Sequence, residues 1–79
     1  MTIRVLFFGH YRDIAAEIAL ELPGGATVAD AADALARRDP RLVDLLSRTR
    51  VAVGAEFATP ETTLKEGDEV AFLPPMSGG

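Results

Sequence analysis

The sequence predicts a small α+β roll, in which a mixed β-sheet packs against one principal helix and a short second helix. Strand-like patterns occupy both ends of the chain, and a helical pattern occupies its middle. The 79 residues, of which 48% are hydrophobic and 25% charged, suit one globular domain with one core. We therefore expect two strands, the helices, and then two or three strands, the last lying near the first.

The N-terminal part predicts two strands that form a hairpin. Residues 2–8 are rich in β-branched and aromatic side chains and form the first strand. Residues 17–22 alternate with a period of two and form the second. The connection over residues 9–16 has room for at most one or two helical turns. It contains His10, which we interpret as a solvated turn residue rather than a catalytic or metal-binding group.

The principal helix is predicted over residues 28–38. Thr27 offers an N-cap, and Asp30 supplies the partner of a weak capping box. Asp39 and Pro40 then predict the start of a second, shorter helix that ends near residue 47. Helical spacing places three residues on the buried stripe of the principal helix, namely Val28, Ala32 and Leu35.

The C-terminal third returns to strand patterns. A hairpin is predicted from residue 50 to 58, with its reversal at residues 54–56. Leu64 is expected to anchor the loop that follows, and residues 69–73 form the last strand. If the first and last strands pair at the centre of the sheet, alternation turns one set of side chains to the helix. That set is Ile3, Val5, Phe7, Val70 and Phe72.

The opposite face of these central strands is also apolar. It comprises Leu6, Phe8, Ala71 and Leu73, and Phe57 is expected to join them. A small protein seldom exposes a continuous apolar surface unless a partner binds there. We therefore predict a docking face at Leu6, Phe8, Phe57 and Leu73.

A short tail follows the last strand. Pro74 and Pro75 cannot extend a sheet ladder and favour an extended exit, so we expect a domain over residues 1–75 and a flexible tail over residues 76–79. Glycine has no side chain, so a Gly-Gly end can enter a narrow passage and present its carboxylate to another protein. A Gly-Gly end alone favours a frayed or accidental terminus over a functional one, but its position behind a strand and two prolines favours a function. The tail residues are Met76, Ser77, Gly78 and Gly79.

Composition excludes several classes of function. The chain has no cysteine, which rules out disulfides, thiolate metal sites and a thiol nucleophile. A net charge of −4 argues against nucleic-acid binding and favours a partner with a basic surface. No apolar run is long enough to span a membrane and no signal peptide is evident, so we expect a cytoplasmic protein without a membrane partner.

The motifs at both ends resemble MoaD, the family of small sulfur-carrier subunits of molybdopterin synthase. The similarity rests on residues 5–8, Arg12, the run from Gly67 to Phe72, the two prolines and the terminal Gly78-Gly79. Its C-terminal part is specific, whereas the middle of the chain is ordinary. The chain departs from many relatives at Gly54, where they carry asparagine, which puts one local contact in doubt.

The resemblance implies a ubiquitin-like β-grasp fold and a sulfur-transfer mechanism. In this family a MoeB-like adenylating enzyme uses ATP to activate the carboxylate corresponding to Gly79, and a sulfur donor protein converts it to a thiocarboxylate. The tail then enters a MoaE-like large subunit, which holds the catalytic side chains, and delivers sulfur to cyclic pyranopterin monophosphate. The carrier itself would bind no cofactor or metal. The resemblance also implies partner contacts at the docking face, at Pro74 and Pro75, and at Arg12, for which a solvated loop arginine is an equal alternative.

Three other functions remain open on sequence grounds. The chain could carry sulfur for thiamine or another pathway, act as a ubiquitin-like protein modifier, or serve as an interaction module whose tail has no chemistry. A stand-alone enzyme is disfavoured, because no constellation of base, nucleophile or metal ligands is apparent.

Overall fold

The structure, a computed structural model, describes residues 1–8, 14–46 and 49–73. Within these ranges the chain forms five strands and two helices. They are β1 (Thr2–Phe8), β2 (Ile14–Glu21), α1 (Val28–Arg38), α2 (Leu42–Leu46), β3 (Arg50–Val53), β4 (Glu56–Phe57) and β5 (Glu69–Leu73). The predicted α+β class is confirmed, and β1, α1 and β5 have the predicted bounds.

All five strands form one mixed sheet with the order β2-β1-β5-β3-β4. β1 and β5 are parallel neighbours at its centre, with Val5 opposite Val70 and Phe7 opposite Phe72. The other neighbouring strands pair antiparallel. The predicted pairing of the first and last strands is thus confirmed, and β5 is held by a strand on each side.

Helix α1 packs on one face of this sheet. At its start the Thr27 hydroxyl accepts a hydrogen bond from the backbone N–H of Asp30, and the Asp30 carboxylate accepts one from the backbone N–H of Thr27 at 2.9 Å. This capping box satisfies two donors that would otherwise lack partners at the helix end. The buried core on the helix side consists of Ile3, Val5, Leu20, Leu22, Ala26, Val28, Ala31, Leu35, Leu64, Val70 and Phe72.

The buried stripe of α1 differs from the prediction at one position. Val28 and Leu35 are buried, but Ala31, rather than Ala32, completes the stripe at 0% exposure. Successive residues of a helix are rotated by about 100° around its axis. Viewed along that axis, Ala31 and Leu35 lie on one side of Val28, and Ala32 lies on the other. The half-buried Ala32 instead borders a groove at the edge of the sheet.

The second strand begins three positions earlier than predicted. It runs from Ile14, which pairs with Phe8 after an irregularity in register between Phe7 and Phe8. The alanine-rich start of this strand suggested helical turns, but pairing with β1 provides backbone hydrogen bonds that outweigh a weak local preference. Residues 9–13, with His10 and Arg12, lie outside the described residues.

The C-terminal turns use glycine where the backbone requires it. A two-residue turn at Gly54 and Ala55 joins β3 to β4, so β4 covers Glu56–Phe57 instead of starting at Phe57. Gly54 has a φ of +66°, which is left-handed. Glycine and asparagine both tolerate this conformation, so the departure from asparagine at this position leaves the turn intact. Leu64 anchors the following loop as predicted, with 2% of its surface exposed.

Candidate functional site

The exit of the chain from the sheet lies at the end of β5. Leu73 is the last residue of that strand and pairs with Arg50 at the start of β3. Because β5 lies between β1 and β3, the segment after Leu73 leaves from the middle of the sheet rather than from an edge. The predicted tail site itself, Pro74, Pro75, Met76, Ser77, Gly78 and Gly79, lies outside the described residues, as does Arg12.

Beside this exit, the sheet face away from α1 has a continuous row of cross-strand neighbours. We call it the open face, and its central row consists of Glu17, Leu6, Ala71, Ala52 and Phe57. Directly opposed residues share a face, so this register places Leu6 and Phe57 on the same side of the sheet. None of the five belongs to the core on the helix side.

The predicted docking residues differ in how much surface they offer. Phe57 is 67% exposed, whereas Leu6 is only 4% exposed. Phe8 and Leu73 are half-buried. Leu6 therefore forms the floor of the open face, and Phe57 offers the most new apolar surface to a partner.

One end of the open face carries one arginine and two glutamates that pair with it. The Arg4 Nε lies 3.0 Å from the Glu17 Oε2, and its guanidinium also pairs with Glu69. These three side chains come from three adjacent strands, β2, β1 and β5. They form a polar border next to the apolar centre.

The other end carries an arginine that the sequence analysis did not select. The Arg50 guanidinium lies over the Phe57 ring, 4.6 Å from its centroid. Arg50 is two residues from Ala52, so the period of the strand puts it on the open face beside Phe57. The two-residue period of β3 was the signal in the sequence that could have identified Arg50. Its contact with Phe57 also requires the register between β3 and the two-residue strand β4, which the sequence pattern does not give. Arg50 and Phe57 also border a groove of about 430 Å³ between the sheet edge and the helices, lined further by Ala32, Leu46 and Val51.

Across the described ranges, the side chains offer no catalytic or metal-binding cluster. No group of three His, Cys, Asp or Glu residues among them could hold a metal ion, and none of their charged or polar side chains is buried. Hydrogen bonds from Arg41 lower the pKa of Asp39, but this pair lies in the connection between α1 and α2 and not on the open face. In the described part of the chain no helix is long and apolar enough to cross a membrane.

Comparison with known proteins identifies the family. The model of the ThiS family matches residues 5–79. The molybdopterin synthase sulfur carrier subunit of Mycobacterium tuberculosis is 38% identical and covers 98% of this chain and 96% of its own. The protein of the same name from Chlamydomonas reinhardtii is 36% identical over the full length of both chains.

A solved structure agrees with this assignment at the level of the fold. The crystal structure of Haloferax volcanii small archaeal modifier protein 1 superposes with a TM-score of 0.79 at 25% identity, covering 95% of this chain and 98% of that one. The chain has the ubiquitin-like β-grasp fold, belongs to the ThiS family, and within that family is a sulfur carrier of the MoaD type.

Proposed function

We propose that this protein is the sulfur-carrier subunit of a cytoplasmic molybdopterin synthase. We further propose that the C-terminal carboxyl group of Gly79 is the group that carries the sulfur. The observation that carries the proposal is the position of Gly78 and Gly79 behind the central strand β5, inside the segment matched by the family. A strand paired on both sides gives the tail a rigid base. Two glycines at its end can enter a passage that no side chain would fit.

The proposed chemistry begins with activation of the carboxylate. A terminal carboxyl group has a pKa of about 3.3 to 3.7, so at neutral pH it is an anion and a poor acceptor. In the proposed step a carboxylate oxygen attacks the α-phosphorus of ATP on a MoeB-like enzyme, and pyrophosphate leaves. A hydrosulfide ion (HS⁻) supplied by a donor protein then attacks the carbonyl carbon and displaces AMP, and loss of its proton leaves a thiocarboxylate. The carrier needs no cysteine and no cofactor of its own for either step.

The second half of the function is delivery of sulfur to cyclic pyranopterin monophosphate in the active site of a MoaE-like large subunit. We propose that Phe57, Phe8 and Leu73 dock on that subunit around a floor formed by Leu6, with Arg12 at the rim. This arrangement would place the base of the tail, Pro74 and Pro75, at the entrance of the active site. One dithiolene needs two sulfur atoms, which suits a heterotetramer with two carriers.

A second candidate function is attachment to other proteins. The similarity to small archaeal modifier protein 1 favours it, since the name of that relative describes a modifier. The same adenylated Gly79 could react with a lysine amine and form an amide bond. The two functions share the activation step and differ in the nucleophile that follows.

The proposed function is tested by reconstitution. The protein is incubated with ATP, the adenylating enzyme and a sulfur donor, and intact-mass spectrometry measures exchange of one oxygen for sulfur. The product is then mixed with the large subunit and cyclic pyranopterin monophosphate. We expect sulfur exchange followed by dithiolene formation. Protein conjugates on lysine without dithiolene would favour the modifier function, and the absence of both sulfur exchange and lysine conjugates would contradict both functions.

A further inference from the structure

The two arginines of the open face are in different electrostatic situations. Arg4 already has two carboxylate partners, Glu17 and Glu69. Arg50 is exposed, and among the described residues no carboxylate lies within ion-pair distance of it. Its described interaction is with the face of the Phe57 ring.

The ring orients the Arg50 guanidinium without using its hydrogen-bond donors. A contact with the face of an aromatic ring does not require a hydrogen bond to an oxygen acceptor, and the planar fork of guanidinium donors matches the two oxygens of a carboxylate. Arg50 also lies within the predicted docking face, because it pairs with Leu73 at the end of β5. Any partner that covers Phe57 and Leu73 would therefore cover Arg50 as well.

Covering this arginine has a cost that only the partner can offset. In the free protein its charge is hydrated, whereas an apolar docking surface would remove water from it. A desolvated charge without a partner is strongly unfavourable, and one with a hydrogen-bonded counter-ion is not. Arg4 poses no such demand, because it already pairs with two carboxylates of this chain.

We propose that Arg50 is a recognition residue that pairs with a carboxylate side chain on the docking surface of the large subunit. This inference rests on the proposed function and adds a requirement to it, namely an acidic residue next to the apolar site that receives Phe57. Phe57 then has two tasks, since it supplies apolar contact and holds the guanidinium in orientation. Arg50 acts in assembly and not in the sulfur chemistry.

The test measures the affinity of Arg50 variants for the large subunit by titration calorimetry at two salt concentrations. Arg50→Leu keeps an apolar stem and removes the charge, and we expect binding to weaken at least about tenfold and to depend less on salt, the tenfold loss corresponding to about 1.4 kcal/mol. Arg50→Lys keeps the charge without the planar edge and should bind between the wild type and Arg50→Leu. Arg38→Leu is the matched control, since Arg38 is an exposed arginine in the last turn of α1.

A charge exchange identifies the partner group. Arg50→Glu should bind weakly, and changing one acidic residue of the large subunit to lysine should restore its affinity. Wild-type affinity in Arg50→Leu, equal affinities of the Lys and Leu variants, or the absence of any restoring exchange would overturn the inference. The inference would also be overturned if the Arg50 variants lost affinity for the adenylating enzyme but not for the large subunit.

The proposed function is tested separately by measuring sulfur acquisition and large-subunit binding of the wild-type protein. If the wild type acquires sulfur and binds the large subunit while Arg50→Leu binds equally well, the inference about Arg50 fails alone. If the wild type neither binds nor acquires sulfur, the proposed function fails and takes the inference with it.

Discussion

Replacing Phe57 by alanine should weaken binding of the large subunit while leaving the domain folded. Phe57 is 67% exposed, so of a phenylalanine surface of about 200 Å², roughly 130 Å² is available to a partner. Alanine would retain a small part, and a loss of about 100 Å² at about 25 cal/mol per Å² amounts to about 2.5 kcal/mol. This corresponds to a dissociation constant raised roughly seventyfold.

The assay is calorimetric titration of the large subunit with each variant. The folded domain should lose only the exposed contact between Arg50 and the ring, about 0.5 to 1 kcal/mol, and its melting temperature should fall by a few degrees. Val43→Ala is the matched control, because Val43 is 54% exposed and lies on α2. Equal affinity of Phe57→Ala and the wild type, or an equal loss in Val43→Ala, would refute the docking face.

Three further predictions concern the fold and its electrostatics. Phe72 is 2% exposed and stacks on Phe7, so Phe72→Ala should cost about 3 to 5 kcal/mol in urea denaturation and unfold much of so small a domain; a loss under about 1 kcal/mol would contradict its place in the core. At Gly54, with φ +66° and open space where a Cβ would lie, substitution by Asn should be tolerated, whereas Val should cost about 1 to 2 kcal/mol from backbone strain alone; equal melting temperatures would contradict this. Arg41→Ala should raise the pKa of Asp39 in an NMR titration, because hydrogen bonds from Arg41 lower it; the stability from this pair is present above the unfolded pKa and lost as pH falls through the folded one, and an unchanged titration would contradict the assignment.

Much of the fold could be predicted from local patterns. β1, α1 and β5 each combine strong periodicity with a clear cap or turn, and their bounds were predicted correctly. The expectation that the last strand lies near the first is confirmed by the pairing of β5 with β1. The start of β2 could not be predicted in this way, since the alanines after Ile14 carry no strand signal and are held by pairing with β1.

The candidate site was only partly predictable for a related reason. Alternation placed Leu6 and Leu73 on the open face, but it could not show that Leu6 is buried there. The contact of Arg50 with Phe57 depends on the register across a two-residue turn, which a sequence pattern does not determine. The roles of Arg12 and of the tail stay predictions, because they lie outside the described residues.

The most direct test of the central claim is sulfur acquisition by a variant that lacks Gly79. Glycine contributes no side chain to a core, so this deletion should leave the melting temperature nearly unchanged. The variant and the wild type are incubated with ATP, the adenylating enzyme and a sulfur donor, and intact-mass spectrometry follows exchange of oxygen for sulfur. The account predicts exchange in the wild type and none in the deletion, with dithiolene formation lost in parallel. If the deletion still acquires sulfur and supports dithiolene formation, the Gly79 carboxylate is not the carrier and the account is wrong.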